Sequence, residues 1–170
     1  MRGFIIFFLI FAFASLSFVS EPQTVQIWQK KELMQLLAQQ DSLSLQEGKR
    51  LEVINFWATW CQPCVAELPH FESFQAAYRG EVRVRYLSLD FEKDLHTKLI
   101  PFAQKRLKEG QVVLLNDTDY DNWMGMIDAD WSGAIPATLF LDLRSQTHHF
   151  VSHPLNENEL RHIADSLLRK

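Results

Sequence analysis

Cys61 and Cys64 stand three positions apart and are the only cysteines in the 170-residue chain. That spacing suits reversible exchange between a dithiol and a disulfide. The pair follows a short apolar run, residues 51–57, and opens a helical segment, so Cys61 falls at a helix N-terminus. Backbone N–H groups there lack intrahelical partners and carry partial positive charge. A thiolate at that point is stabilised, its pKa falls, and Cys61 becomes nucleophilic near neutral pH. Cys64, one turn on, is close enough to bond to Cys61. Pro63 is tolerated between them because first-turn N–H groups have no intrahelical partner to lose. A disulfide across so few residues closes too small a loop to stabilise much through chain entropy. Structural zinc usually takes four ligands, and the sequence has no second Cys-x-x-Cys.

The segment Asn55-Phe56-Trp57-Ala58-Thr59-Trp60-Cys61-Gln62-Pro63-Cys64 resembles the active-site segment of the thioredoxin superfamily. It most resembles the exported TlpA/ResA-like thiol–disulfide oxidoreductases. Three further positions agree. Glu67 stands where that group commonly has a glutamate, Pro69 stands where its members kink the active-site helix, and Gly133-Ala134-Ile135-Pro136-Ala137-Thr138 resembles the segment bearing the cis-proline. The resemblance implies an α/β protein of thioredoxin-like fold, a central mixed sheet flanked by helices, and an enzyme needing no cofactor and no metal.

Its site residues follow from the same resemblance. Cys61 is the attacking thiolate and Cys64 the resolving thiol, with Cys61–Cys64 the redox-active disulfide. Pro136 is expected to be cis and to face the pair, leaving the Ile135 backbone free to pair with an extended partner segment. Trp60 is expected to shield the disulfide edge and offer partners an apolar contact. Glu67 lies one helical turn beyond Cys64, so the side chains are neighbours. Partial burial would raise its pKa and let it take the Cys64 proton. An acid early in a helix also answers the helix dipole. Thioredoxin itself has a buried aspartate six residues before its first cysteine. Asn55 stands there in this chain and cannot titrate.

The partners implied are protein thiols and disulfides. A proline directly before the second cysteine is found in reducing relatives, which points to a reductant. With no second redox pair, a membrane-embedded reductase would have to supply electrons. Cytochrome c maturation is one of several roles the resemblance suggests. The competing reading is a Cu(I)-binding or copper-delivery module, since two thiolates suit Cu(I). Copper proteins of this fold space their cysteines by three intervening residues, whereas the spacing here is two.

Elements able to position the pair can be read around it. Residues 51–57 form an apolar run without helical period, fitting a strand buried on both faces. A helix carrying the cysteines is expected through Tyr78, with Gly80 in a C-cap position. Residues 81–89 alternate, with Val82, Val84 and Tyr86 on one face and Arg83 and Arg85 on the other. Further strands are expected over residues 24–28, 111–115, 137–143 and 148–152, the last two as a hairpin. Further helices are expected over 30–40 and 91–108, the latter interrupted by Pro101. Residues 41–49 read as a loop and 117–131 as a helix with loops. The last helix opens on a capping box, Asn156 with Glu159. Asp117, Asp119, Asp121 and Asp128 fall at calcium-loop spacings. Asn122 replaces the required glycine and Asp128 the required glutamate, so calcium is not expected.

Residues 4–19 are apolar or small, after a single charge at Arg2. This is the pattern of a secretory signal peptide, or of an N-terminal membrane anchor if uncleaved. The domain reading is therefore 1–20 for that segment, a possible tether through 4–19, and 21–170 for a thioredoxin-like domain. The location is outside the cytoplasm: periplasm or cell envelope. The formal net charge is −4 and no lysine/arginine run occurs, so nucleic-acid binding has no electrostatic footprint.

Overall fold

The structure is a computed structural model and describes residues 23–39 and 47–169. The N-terminal segment and most of the loop expected at 41–49 lie outside those residues. The described residues form one six-stranded sheet in the order β1-β4-β3-β2-β5-β6. β1 (Val25–Trp28), β2 (Leu51–Trp57), β3 (Val82–Ser88) and β4 (Gln111–Leu115) are parallel. β5 (Ala137–Asp142) runs antiparallel to β2, and β6 (His148–Val151) antiparallel to β5. The helices are α1 (Lys30–Gln39), α2 (Gln62–Ala77), α3 (Ile100–Arg106), α4 (Met124–Ile127) and α5 (Glu157–Leu168). The expected mixed sheet flanked by helices is present. Among the described residues no helix is long and apolar enough to cross a membrane.

β2 lies between β3 and β5 and is buried at every position, which is why its sequence shows no alternation. Its side chains divide between two cores. Val53 and Trp57 join residues of α2, α3 and α5, whereas Ile54 and Phe56 join residues of α1 and α4. α5 begins with the expected capping box between Asn156 and Glu159. Leu160, Ala164 and Leu167 of its apolar stripe are buried.

Two local expectations need correction. α2 is capped by Tyr78, whose N–H donates to Phe74 O. The Tyr78 carbonyl then accepts from Glu81 N and Val82 N, each at 2.9 Å, closing the turn into β3. Gly80 is not in the left-handed region that a glycine C-cap needs. The second correction concerns Pro101, which starts α3 and does not break a longer helix. A 3-10 turn (Glu92–Asp94) and a π turn (Leu95–Leu99) precede it. Pro101 therefore falls where its missing N–H costs little.

The arginine face of β3 is buried. Arg85 Nε donates to Glu52 Oε2 at 2.8 Å, and Arg83 Nε lies 3.6 Å from Glu52 Oε1. Arg83 also pairs with Glu47. Alternation located the two arginines on one face but could not show that Glu52 of β2 meets them there.

Candidate active site

β2 ends at Trp57, and residues 58–60 turn the chain into α2. Cys61 is the N-cap of α2, with extended backbone (φ −88°, ψ 101°). Its Sγ accepts from Cys64 N–H at 3.3 Å. This is the N-cap geometry in which a side-chain acceptor satisfies an orphan amide. Here the acceptor is the sulfur that would carry negative charge as a thiolate. Cys61 and Cys64 are joined as a disulfide, with Cα atoms 5.3 Å apart. The two cysteines are unequally reachable: Cys61 is 6% exposed and Cys64 0%.

The second side of the site comes from the segment before β5. Cys61 Sγ lies 3.8 Å from Ile135 O, and the Ile135–Pro136 peptide bond is cis. The aromatic core under this segment holds it. Trp131 Nε1 donates to Ala134 O at 2.9 Å, and the Trp131 ring packs against Phe56 with centroids 4.8 Å apart. Gly133 has a positive φ of 83°, and a Cβ there would meet Met124 Sδ at 2.9 Å. Both features favour glycine at that turn. Trp60 is 58% exposed beside the pair.

Glu67 faces inward from α2 and is 3% exposed. Its Oε1 accepts from Asn55 Nδ2 at 2.8 Å and its Oε2 from Leu155 N–H at 2.7 Å. Asn55 is on β2, and its partner in register on β5 is Thr138, whose Oγ1 is 3.3 Å from Asn55 Nδ2. Burial pushes the Glu67 carboxyl up to about 7, against the opposing pull of the Leu155 amide, the Asn55 amide and His153. A carboxyl titrating there can hold or release a proton near neutral pH. Glu67 also lines a groove of about 360 Å³ with Pro63, Ala66, His70, Pro154 and Leu155.

All six residues singled out from the sequence thus lie on the turn, α2 or the proline segment. Two that pattern did not reveal are Thr59 and Asp90. Asp90 follows β3 and its carboxylate accepts from both the N–H and the hydroxyl of Thr59. The only sequence signal was an acid closing an apolar strand. Among the described residues no group of three or more His, Cys, Asp or Glu is placed to hold a metal ion.

A protein-family model for thioredoxin matches residues 33–100. Over those residues the chain is similar to thioredoxin. The matched residues run from α1 to the start of α3 and so include the cysteine pair and Glu67. The thiol–disulfide oxidoreductase ResA of Oceanobacillus iheyensis is 47% identical over 49 residues, covering 28% of this chain and 25% of that protein. The thioredoxin-like protein YneN of Bacillus subtilis is 40% identical over 52 residues, 31% of this chain and 30% of that protein. The chain therefore spans a quarter to a third of the length of these curated relatives. The crystal structure of a thioredoxin-related protein from Neisseria meningitidis serogroup B superposes with a TM-score of 0.61. It is 20% identical and covers 72% of this chain and 87% of that one. The fold is accordingly thioredoxin-like, and over about fifty residues the chain is similar to ResA-type oxidoreductases.

Proposed function

We propose that the chain is an exported thiol–disulfide oxidoreductase that reduces protein disulfides through Cys61 and Cys64. The observation that carries this reading is the cysteine pair itself, with a reachable sulfur at the N-terminus of α2 and a buried one a turn behind it. In the reduced form, Cys61 thiolate attacks one sulfur of a partner disulfide. The partner's other sulfur leaves as a thiolate, and a mixed disulfide forms. Cys64 thiolate then attacks Cys61 Sγ, which breaks the mixed disulfide and frees the partner's second sulfur. Two electrons have passed to the partner, and Cys61–Cys64 is oxidised.

The neighbours take the roles their positions support. Glu67 accepts the Cys64 proton. Ile135 and Pro136 border the groove in which an extended partner segment adds to the backbone. Trp60 supplies an apolar contact at its rim. Residues 1–20 direct export to the periplasm or cell envelope, cleaved as a signal or kept as a tether through 4–19. A membrane-embedded reductase restores the dithiol, and cytochrome c maturation is one process such a reductant serves.

The reduction potential tests the direction. Equilibration with a dithiothreitol buffer is expected to give a value well below the roughly −120 mV of strong oxidants, toward the roughly −270 mV of thioredoxin. A value near the oxidising end would reverse the proposed flow of electrons.

Glu67→Gln tests the acid. The folded carboxyl, at about 7, lies above the 4.5 of an ordinary glutamate, so protonation favours the folded state. That stabilisation is complete below pH 4.5 and is lost as pH rises through about 7. Against the non-titrating Gln variant, the oxidised wild-type chain is expected to lose roughly 3 kcal/mol across that window. Urea denaturation at a series of pH values reads the difference; parallel pH curves would refute it. An unchanged Cys64 pKa and exchange rate in the same variant would rule out Glu67 as the proton acceptor.

A further inference from the structure

The turn that delivers Cys61 is held from outside by an acid just past the neighbouring strand. Asp90 is 4% exposed. Its Oδ1 accepts the Thr59 hydroxyl at 2.6 Å, and its Oδ2 accepts Thr59 N–H at 3.0 Å and the Ser88 hydroxyl at 2.7 Å. Asp90 N–H in turn donates to Ser88 Oγ at 3.0 Å. Three donors thus satisfy a buried carboxylate. A buried charge without such partners is costly, so the arrangement stands only while Thr59 and Ser88 are in place.

Its location suggests what the arrangement serves. β2 and β3 continue their ladder to the last residue, Leu89 N–H donating to Trp57 O at 2.8 Å. Beyond that point the turn has one internal backbone bond, Cys61 N–H to Ala58 O at 3.1 Å. Trp60 lies outward. Thr59, two residues before the nucleophile, is therefore fixed by Asp90. Glu67 lies on α2 beyond Cys64 and bonds to β2 and the segment before α5, so the two acids hold different parts of the site.

We propose that Asp90 is a positioning residue for Cys61: through Thr59 it fixes the turn that sets Cys61 Sγ against the Cys64 N–H at the start of α2. This rests on the exchange reading above. A loosened turn lets the sulfur leave that amide, and the thiolate loses its stabilisation.

The test is the rate at which iodoacetamide alkylates the reduced, folded chain. Cys64 is fully buried, so the rate reports Cys61. Thr59→Val keeps the shape and removes one hydrogen bond to a charged group, and should slow alkylation about tenfold. Thr59→Ser keeps the hydroxyl and should stay within about twofold of wild type. Asp90→Asn should slow alkylation in the same direction as Thr59→Val. If Thr59→Val alkylates at the wild-type rate while its denaturation midpoint falls, the contact is merely structural and the proposal fails. If Asp90→Asn alkylates faster, its charge and not its grip governs Cys61, and the proposal also fails. A wild-type chain that alkylates readily yet reduces no protein disulfide would overturn the exchange reading and leave the positioning role intact.

Discussion

Cells carrying Cys64→Ser are expected to accumulate the chain as thiol-sensitive adducts with its partners. The variant keeps the Cys61 sulfur at the N-terminus of α2, so the first attack proceeds. It lacks the second thiolate, so the mixed disulfide cannot resolve from within. Non-reducing electrophoresis should show slower bands that collapse with dithiothreitol. Cys61→Ser should show none of them, because Cys64 is fully buried and cannot replace it. With purified protein, either substitution should cut turnover about 10³-fold or more, since residues acting as one unit fail together. Equal adduct formation by the two variants would contradict the assigned roles. An absence of adducts in Cys64→Ser would contradict the exchange mechanism.

The second large effect lies at the other end of the sheet. Glu52 is fully buried at the start of β2 and faces Arg83 and Arg85 of β3. Arg85 also donates to Gln111 Oε1 at 2.8 Å and lies 5.3 Å from the Trp28 ring centroid. The cluster thus links β2, β3, β4 and β1 on the face that α1 covers. Taking one partner out of a buried ion pair costs about 3–5 kcal/mol. Glu52→Ala should therefore lower stability by that amount in urea denaturation. Replacing Glu52 and Arg85 together by leucine and methionine should recover much of the loss, because a packed apolar pair can match a buried ion pair. The site lies about five strand residues away, roughly 17 Å. Alkylation of Cys61 in the folded Glu52→Ala protein should match wild type, which separates fold stability from chemistry.

The two ends of the sheet also show what the sequence could and could not convey. The cysteine pair was legible because its logic is local: a strand, a turn and a helix N-terminus within fourteen consecutive residues, 51–64. The same holds for the capping box of α5 and for the unalternating run of β2. Contacts that join distant segments were not legible. Thr59 and Asp90 are separated by 31 positions, and Glu67 and Leu155 by 88. No periodicity encodes such pairs. Arg83 and Arg85 show the limit most clearly. Alternation divided β3 correctly into two faces but said nothing of what meets the arginines. Only the register Glu52↔Arg83 explains why that face is buried. The π turn before Pro101 eluded the sequence for a related reason. A proline announces a break in hydrogen bonding, but not how the preceding turn will widen to absorb it.

Leu155, whose amide meets Glu67, stands immediately before the capping box of α5. A chain made from its N-terminus contains both cysteines and Glu67 long before Leu155 exists. Until Leu155 is in place, Glu67 lacks one of the two hydrogen bonds it accepts. The acid of the site belongs to the finished fold. The segment that opens the last helix thus completes the surroundings of an acid 88 positions earlier in the chain.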